Sequence, residues 1–378
     1  MIPLFKVFMS EEAVTAASKV LRSGFIGQGQ VVEEFEDHLK SYFNYPYLIT
    51  TNSGTSALHL AIHLLKKDHK NWFGISDIDY ILASPLTCTA SNFPILANGL
   101  KLKWVDISDK DLNMDLSDLE RKLGYNTKAI VLPYWGGYPT DLAKLEKILV
   151  KSKEQLGYKP MVIEDLAHGL GSRYRGKLMG TFGHLSMFSL QAIKHVTSID
   201  GGILMLPNKE LYRRAKLLRW YGIDREGDRK DFRCESDIPE WGFKFHMNDV
   251  CAAVGMANFK HLPETIAIHQ EIAKFYNNRL FDIKDVELLS YKPSHKSAYW
   301  LYTIKVKRRD DFIKMMKKKG IATSKVHERN DKHTCVEEFR TELPNLERVV
   351  KEMVCIPIGR WVTTADMEYI VDCIKGGW

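Results

Sequence analysis

No stretch of this 378-residue chain approaches the roughly 20 consecutive apolar residues that a membrane-spanning helix needs, so no membrane association is expected. The opening residues, Met1-Ile2-Pro3-Leu4-Phe5-Lys6, lack the basic start and long apolar run of a secretory signal. Cysteine is sparse. Its six residues (Cys88, Cys234, Cys251, Cys335, Cys355 and Cys373) are scattered, with neither a close pair nor a metal-ligand spacing. That argues against a disulfide framework and for reduced thiols, so a cytoplasmic location is the expectation. Charge of one sign is scarce as well. A formal excess of +7 is mild for this length, and its densest runs, Lys66-Lys67 and Lys317-Lys318-Lys319, close apolar-periodic segments as solvated helix ends do. A nucleic-acid partner is therefore not expected. His59 and His63 share a helix face, but no third ligand accompanies them, and no metal site is expected. No internal repeat or low-complexity linker is visible.

What is present is an alternation of two textures. Short β-rich runs occur at 47–50, 80–84, 102–106, 129–134, 161–164, 185–188 and 202–206, and several are nearly continuous hydrophobics, as strands buried on both faces should be. Helix-like segments such as 56–67, 116–123 and 142–156 lie between them, which predicts a mostly parallel, three-layer α/β sheet. Beyond Pro207 the texture shifts to helical 209–221, 248–262 and 265–281, then strand-like 300–306, helical 310–319 and helical 364–374. The expected division is a large domain over 1–259 and a smaller α+β domain over 260–378.

Two local patterns carry chemistry. The run Ile163-Glu164-Asp165-Leu166-Ala167-His168 ends an apolar strand on a carboxylate, and Lys194 follows about thirty positions later in the polar loop after Ser189. A lysine to form a Schiff base and a carboxylate to keep a pyridine nitrogen protonated are what pyridoxal phosphate chemistry requires. The second pattern is Thr51-Asn52-Ser53-Gly54-Thr55-Ser56-Ala57-Leu58, an apolar strand entering a small polar turn and then an amphipathic helix. Such a helix start offers free N–H groups and a positive dipole end to a phosphate, though Ser53 or Thr55 can equally serve as a plain cap.

Taken in order, Gly24-Phe25-Ile26-Gly27-Gln28-Gly29, Ser53-Gly54-Thr55-Ser56, Glu164-Asp165-Leu166-Ala167-His168, Phe188-Ser189 with Lys194, and Asp200-Gly201-Gly202 resemble the DegT/DnrJ/EryC1/StrS family of sugar aminotransferases over nearly the whole chain. The resemblance implies the fold type I of pyridoxal-phosphate-dependent transferases, with a mixed, mostly parallel sheet in the large domain. It implies Lys194 as the cofactor-bearing and proton-moving lysine, Asp165 at the ring nitrogen, His168 near the ring hydroxyl, and Thr55, Ser56 and Ser189 at the phosphate. Cys88 matches the ring-stacking position, where the family usually has an aromatic residue. Within Gly242-Phe243-Lys244-Phe245-His246-Met247, Lys244 and His246 replace the family's asparagine and arginine, which reach into the neighbouring subunit's site. Lys244 is expected at the cofactor phosphate and His246 near the substrate. His327 and Arg329 fall where relatives contact the sugar nucleotide. Ile199 stands where the family has glycine, an awkward residue if the backbone there needs a positive φ.

The implied reaction moves an amino group from L-glutamate to a nucleotide-linked 4-keto-6-deoxyhexose, giving a 4-amino-4,6-dideoxy sugar. Amination of a 3-keto sugar is the close alternative, and a non-catalytic binding or regulatory protein on the same fold is the distant one. Relatives with histidine at the Lys194 position carry out dehydration instead, so the lysine favours transamination. A homodimer with shared active sites is implied too.

Overall fold

The computed structural model describes residues 1–66, 74–227 and 237–378; Lys67 and Cys234 lie outside the described residues. In chain order its strands are β1 (Leu48–Thr51), β2 (Tyr80–Ala83), β3 (Lys101–Trp104), β4 (Thr127–Pro133), β5 (Met161–Asp165), β6 (Arg173–Tyr174), β7 (Lys177–Leu178), β8 (Leu185–Ser189), β9 (Gly202–Met205), β10 (Val286–Leu288), β11 (His295–Lys296), β12 (Tyr302–Val306) and β13 (Met353–Ile356). The seven apolar runs of the first half assemble into one sheet of order β1-β9-β8-β5-β4-β2-β3. The β2, β3, β4, β5 and β8 pairings are parallel, while β9 is antiparallel to both of its neighbours.

Side chains alternate across a strand, so a strand that is apolar throughout must bury both faces. Ile81, Ala83, Ala129, Val131 and Ile163 face one hydrophobic core, and Leu82, Ile130, Leu132 and Val162 face the other. Helices Gly54–Leu64 and Lys209–Leu218 contribute to the first core; helices Gln30–Phe43 and Leu142–Leu156 contribute to the second. The same alternation separates two adjacent acids. Glu164 points into the second layer, where Tyr134 Oη (2.5 Å) and Ser186 Oγ (2.8 Å) donate to it, and Asp165 points the other way.

The reversal of β9 has a direct consequence for the loop ahead of it. Antiparallel neighbours are joined across one edge of a sheet, so residues 190–201, between β8 and β9, must stay at the edge where β4, β5 and β8 also end. Leu190 N donates to Gly201 O (2.8 Å) and Ser198 N to Leu190 O (2.9 Å), which draws the loop tight. Lys194 is carried there.

A second sheet, β10-β12-β13, is antiparallel and shares a core with helices Leu262–Leu280, Arg309–Lys318 and Thr364–Lys375. We propose the domain division near residue 260 on the strength of that second core. Packing nonetheless crosses it in both directions: Val336, Leu346 and Met353 join the first core of the large sheet, and Ile2 bridges to Ile321. A third, small sheet pairs β6 with β7 and β11. Its hairpin turns at Arg175-Gly176, both at positive φ as a tight primed turn demands, and strands of two residues leave no periodicity to read. Among the described residues, no helix is long and apolar enough to cross a membrane.

A buried ion pair fixes β1 beneath the phosphate-type turn. Glu36 accepts from Thr50 N (2.8 Å) and Thr50 Oγ1 (2.9 Å) and pairs with Arg219, which also donates to Thr50 O (2.9 Å). Removing one partner of such a pair strands a buried charge. Arg219→Met is therefore expected to lower stability by about 3–5 kcal/mol in urea-induced unfolding; an unchanged midpoint would show that the pair is dispensable.

Candidate active site

The C-terminal ends of β1, β4, β5 and β8 and the turn after β2 converge on one cavity of about 630 Å³, where open α/β sheets bind their ligands. Its floor begins at the turn after β1. Ser53 caps helix Gly54–Leu64, its Oγ accepting from Ser56 N (3.0 Å) and lying 2.9 Å from Ser56 Oγ. A side chain at Gly54 would place its Cβ 3.0 Å from Ser189 Cβ, so glycine is what lets the helix start approach the end of β8. Ser53, Gly54, Thr55 and Ser189 line the cavity together. Ser56 sits one step behind them and fixes Ser53.

Opposite this turn, the buried carboxyl of Asp165 accepts from Ala167 N (3.0 Å) and from Ser91 Oγ, which is itself 2.7 Å from Thr87 Oγ1. Burial raises its pKa, and Ser91, Ala167 and the charge of Lys194 oppose the rise. Lys194 is half-buried, and desolvation of its amine lowers it to about 8 although Asp165 and Cys88 pull it back up. Its Nζ lies 3.7 Å from the ring centroid of Trp300. Trp300 in turn stacks on His168, with centroids 3.9 Å apart. His327 completes the wall, parallel to His168 at 5.8 Å and edge-on to Trp135 at 5.9 Å. Burial holds both imidazoles neutral, His168 well below the usual range and His327 at about 4. Cys88 lines the same cavity.

Other residues singled out from the sequence lie elsewhere. Arg329 is a correction. Its guanidinium is 2% exposed and turned away from the cavity, with Nε donating to Asp331 Oδ1 (2.7 Å) and Nη1 to Glu347 Oε1 (2.6 Å). It braces the segment that carries His327; a sugar-nucleotide contact is not what this geometry offers. Lys244 and His246 lie outside the cavity of their own chain. Lys244 is exposed, bridged to Trp220 through the backbone, and His246 stacks on Trp220 at 3.5 Å. His59 and His63 pack edge-on against Phe243. Ile199 does adopt a positive φ of 72°, in the region that its β-branched side chain disfavours.

Three lining residues carried no signal of function. Ser91 stands three positions after Cys88, on the first turn of helix Thr89–Ala97, and reaches Asp165 only through the fold. Trp135 and Trp300 read as strand-end aromatics.

The fold and the cavity define a transferase of the pyridoxal phosphate class. The residues present fit that cofactor: a glycine-opened helix start for its phosphate, a buried carboxyl that gains from a cationic ring nitrogen, and a lysine amine of lowered pKa between them. The model of the DegT/DnrJ/EryC1/StrS aminotransferase family matches residues 8–375, and the chain belongs to that family. It is a pyridoxal-phosphate-dependent aminotransferase. Its whole length overlays AtS13 from Actinomadura melliaura, at 43% identity and a TM-score of 0.95, covering 99% of that chain. The sugar aminotransferase CalS13 from Micromonospora echinospora matches at 40% identity, a TM-score of 0.95 and full coverage of both chains. The UDP-4-amino-4,6-dideoxy-N-acetyl-beta-L-altrosamine transaminase of Campylobacter jejuni is 31% identical over 78% of this chain and 74% of its own.

An amine attacks a carbonyl only when neutral, and burial brings Lys194 to about 8. Covalent capture of pyridoxal phosphate by the apoprotein should therefore accelerate from about pH 7 to about pH 9 and level off above, as followed by visible absorbance. A rate still climbing steeply at about pH 10.5, the range of an ordinary lysine, would contradict the burial of the amine.

Proposed function

We propose that this aminotransferase moves nitrogen from L-glutamate to a nucleotide-linked 4-keto-6-deoxyhexose, yielding a 4-amino-4,6-dideoxy sugar nucleotide. The observation that carries the reading is a lysine, rather than histidine, at position 194, lining the same cavity of about 630 Å³ as the buried Asp165. The transaminase relative from Campylobacter jejuni, whose name places nitrogen on C-4 of a dideoxy sugar, supports the ketone position. When bound, pyridoxal phosphate supplies an electron sink that acidifies the proton on the carbon bearing the transferred nitrogen. Asp165 holds negative charge at the base of the cavity, where it favours a protonated ring nitrogen. Lys194 Nζ, neutral within reach of physiological pH, takes and returns the proton. Thr55 and Ser189 anchor the phosphate, with Ser56 holding the Ser53 cap behind them, His168 supports the ring from the side, and Cys88 packs against it. His327 is a neutral hydrogen-bonding group offered to the sugar nucleotide.

The reading includes a homodimer in which Lys244 and His246 of one subunit serve the cavity of the other, Lys244 at the cofactor phosphate and His246 near the substrate. Support comes from the exposure of Lys244 and from exposed apolar neighbours beside it, Trp241 and Tyr221. The five cysteines among the described residues are unpaired, in keeping with a cytoplasmic setting.

A half-reaction tests the assignment. Glutamate should convert the yellow holoenzyme to a form absorbing near roughly 330 nm, the pyridoxamine state. One member of a panel of 4-keto-6-deoxy and 3-keto sugar nucleotides should then restore the original spectrum. Restoration by a 3-keto sugar alone would move the amination to C-3. No conversion by glutamate would point to another donor or to a non-catalytic protein. Lys194→Ala should abolish the exchange, and Lys244→Ala should weaken retention of pyridoxal phosphate; unchanged retention in the second variant would remove Lys244 from the site.

A further inference from the structure

The ring of Trp300 is held with more care than a core aromatic requires. Its Nε1 donates to Ile193 O (2.9 Å), the carbonyl immediately before Lys194. Its backbone N donates to Gly136 O (2.9 Å). Just ahead of it in the chain, His195 Nε2 donates to Ala298 O (3.0 Å) and His269 Nδ1 to Tyr299 O (2.7 Å). The segment 298–300 is thereby tied to the lysine loop and to helix Leu262–Leu280. Phe5 and His168 lie nearly parallel to the indole at 5.1 and 3.9 Å, and Trp300 is 3% exposed. Against that fixed ring sits the Lys194 amine, 3.7 Å from its centroid.

A lysine that anchors a cofactor and also carries a proton is released in every cycle. Its four-carbon stem is flexible, and a freed ammonium in a largely apolar cavity gains from a counterpart. We propose that Trp300 is the resting place of the free Lys194 side chain, its ring face binding the ε-ammonium whenever the lysine is not covalently engaged and keeping it beside Asp165. The inference rests on the reading of Lys194 as the cofactor-bearing residue. Indole is the strongest of the aromatic faces for a cation, more so where water is excluded. The groups facing the amine leave the ring uncontested. Asp165 and Cys88 favour its charged form, while burial keeps His168, His195 and His327 neutral, so no second cation competes for the indole.

Fluorination weakens the negative face of an indole without changing its shape, which separates cation binding from packing. The chain has 8 tryptophans, so the full protein is produced with none, one, two or three fluorines per indole, and again in a Trp300→Phe background. Each protein is loaded with pyridoxamine 5′-phosphate, which leaves the Lys194 amine free. Trace acetylation by acetic anhydride is followed against pH, and the Lys194 peptide is quantified by mass spectrometry. The pH midpoint should fall stepwise with fluorine content, by about half a unit to one unit across the series, and the trend should vanish in Trp300→Phe. A midpoint indifferent to fluorine overturns the proposal, as does a trend that survives in the Phe background. Should Trp300→Phe fail to fold, Trp300→Tyr replaces it and must flatten the trend in the same way. Borohydride reduction of the pyridoxal-phosphate-loaded enzyme tells the two readings apart. Cofactor fixed to another lysine removes the assignment of Lys194 and this inference with it; cofactor on Lys194 without a fluorine trend removes the docking alone.

Discussion

The direction of one strand organises this site. Because β9 runs against its neighbours, the loop 190–201 closes over the same edge at which β4, β5 and β8 end, and a lysine placed in that loop has nowhere to go but the mouth of the sheet. Had β9 been parallel, its connection from β8 would have needed a crossover over one face, and residue 194 would have been carried away from Asp165. The tight closure of the loop by Leu190, Ser198 and Gly201 makes the position of the amine a property of the sheet instead of a flexible tether.

Burial then does to the lysine, the carboxyl and two imidazoles of the cavity what low polarity does in general: it pushes each toward its neutral form. The lysine goes down, Asp165 goes up, and His168 and His327 go down. In the bare protein these shifts oppose the charges that the lysine and the carboxyl would otherwise carry. A ligand that brings a cationic ring nitrogen and a phosphate changes the balance, since it offers Asp165 a partner and fills the open helix start with negative charge. The cavity thus pairs a buried carboxyl with a hydroxyl-lined helix start, the two features such a ligand would match.

Much of this was legible in the chain. Six of the seven strands of the large sheet announced themselves because both of their faces are buried, leaving apolar runs such as those of β4 and β5, whereas edge strand β3 alternates exposed lysines with buried Leu102 and Trp104. Asp165 and Lys194 were legible because each ends or follows such a run. Ser91 and Trp300 were not, because what gives them meaning is contact with residues more than 70 positions away, and neither has a local pattern to advertise it. Arg329 misled for a related reason. A sequence shows a cation but not Asp331 and Glu347 folded around it, and a buried arginine paired with two carboxylates is not presented to the cavity. At Ile199 the sequence raised the right question: the backbone there is left-handed, and the loop holds it so despite the side chain.

The surface carrying Lys244 extends the same logic beyond one chain. Residues 243–245 are pinned to 218–221 by Phe243 N to Leu218 O (2.7 Å), Tyr221 N to Phe243 O (2.9 Å) and Phe245 N to Arg219 O (2.9 Å), and Asn52 N donates to Phe245 O (2.7 Å) just ahead of the Ser53 cap. A segment bound this firmly does not swing, so the exposed Lys244 cannot reach inward to its own cavity by a loop movement. Around it lie Trp241 at 66% and Tyr221 at 42% exposure, while Phe25, at 84%, sits in the loop whose Gly27 O accepts from Asp249 N. Large apolar groups left in water on a rigid surface cost free energy that a neighbouring subunit would recover. If a second copy covers this face, Lys244 becomes a fixed cation delivered to another cavity, and the rigidity that keeps it from its own site is what would make it useful in the other.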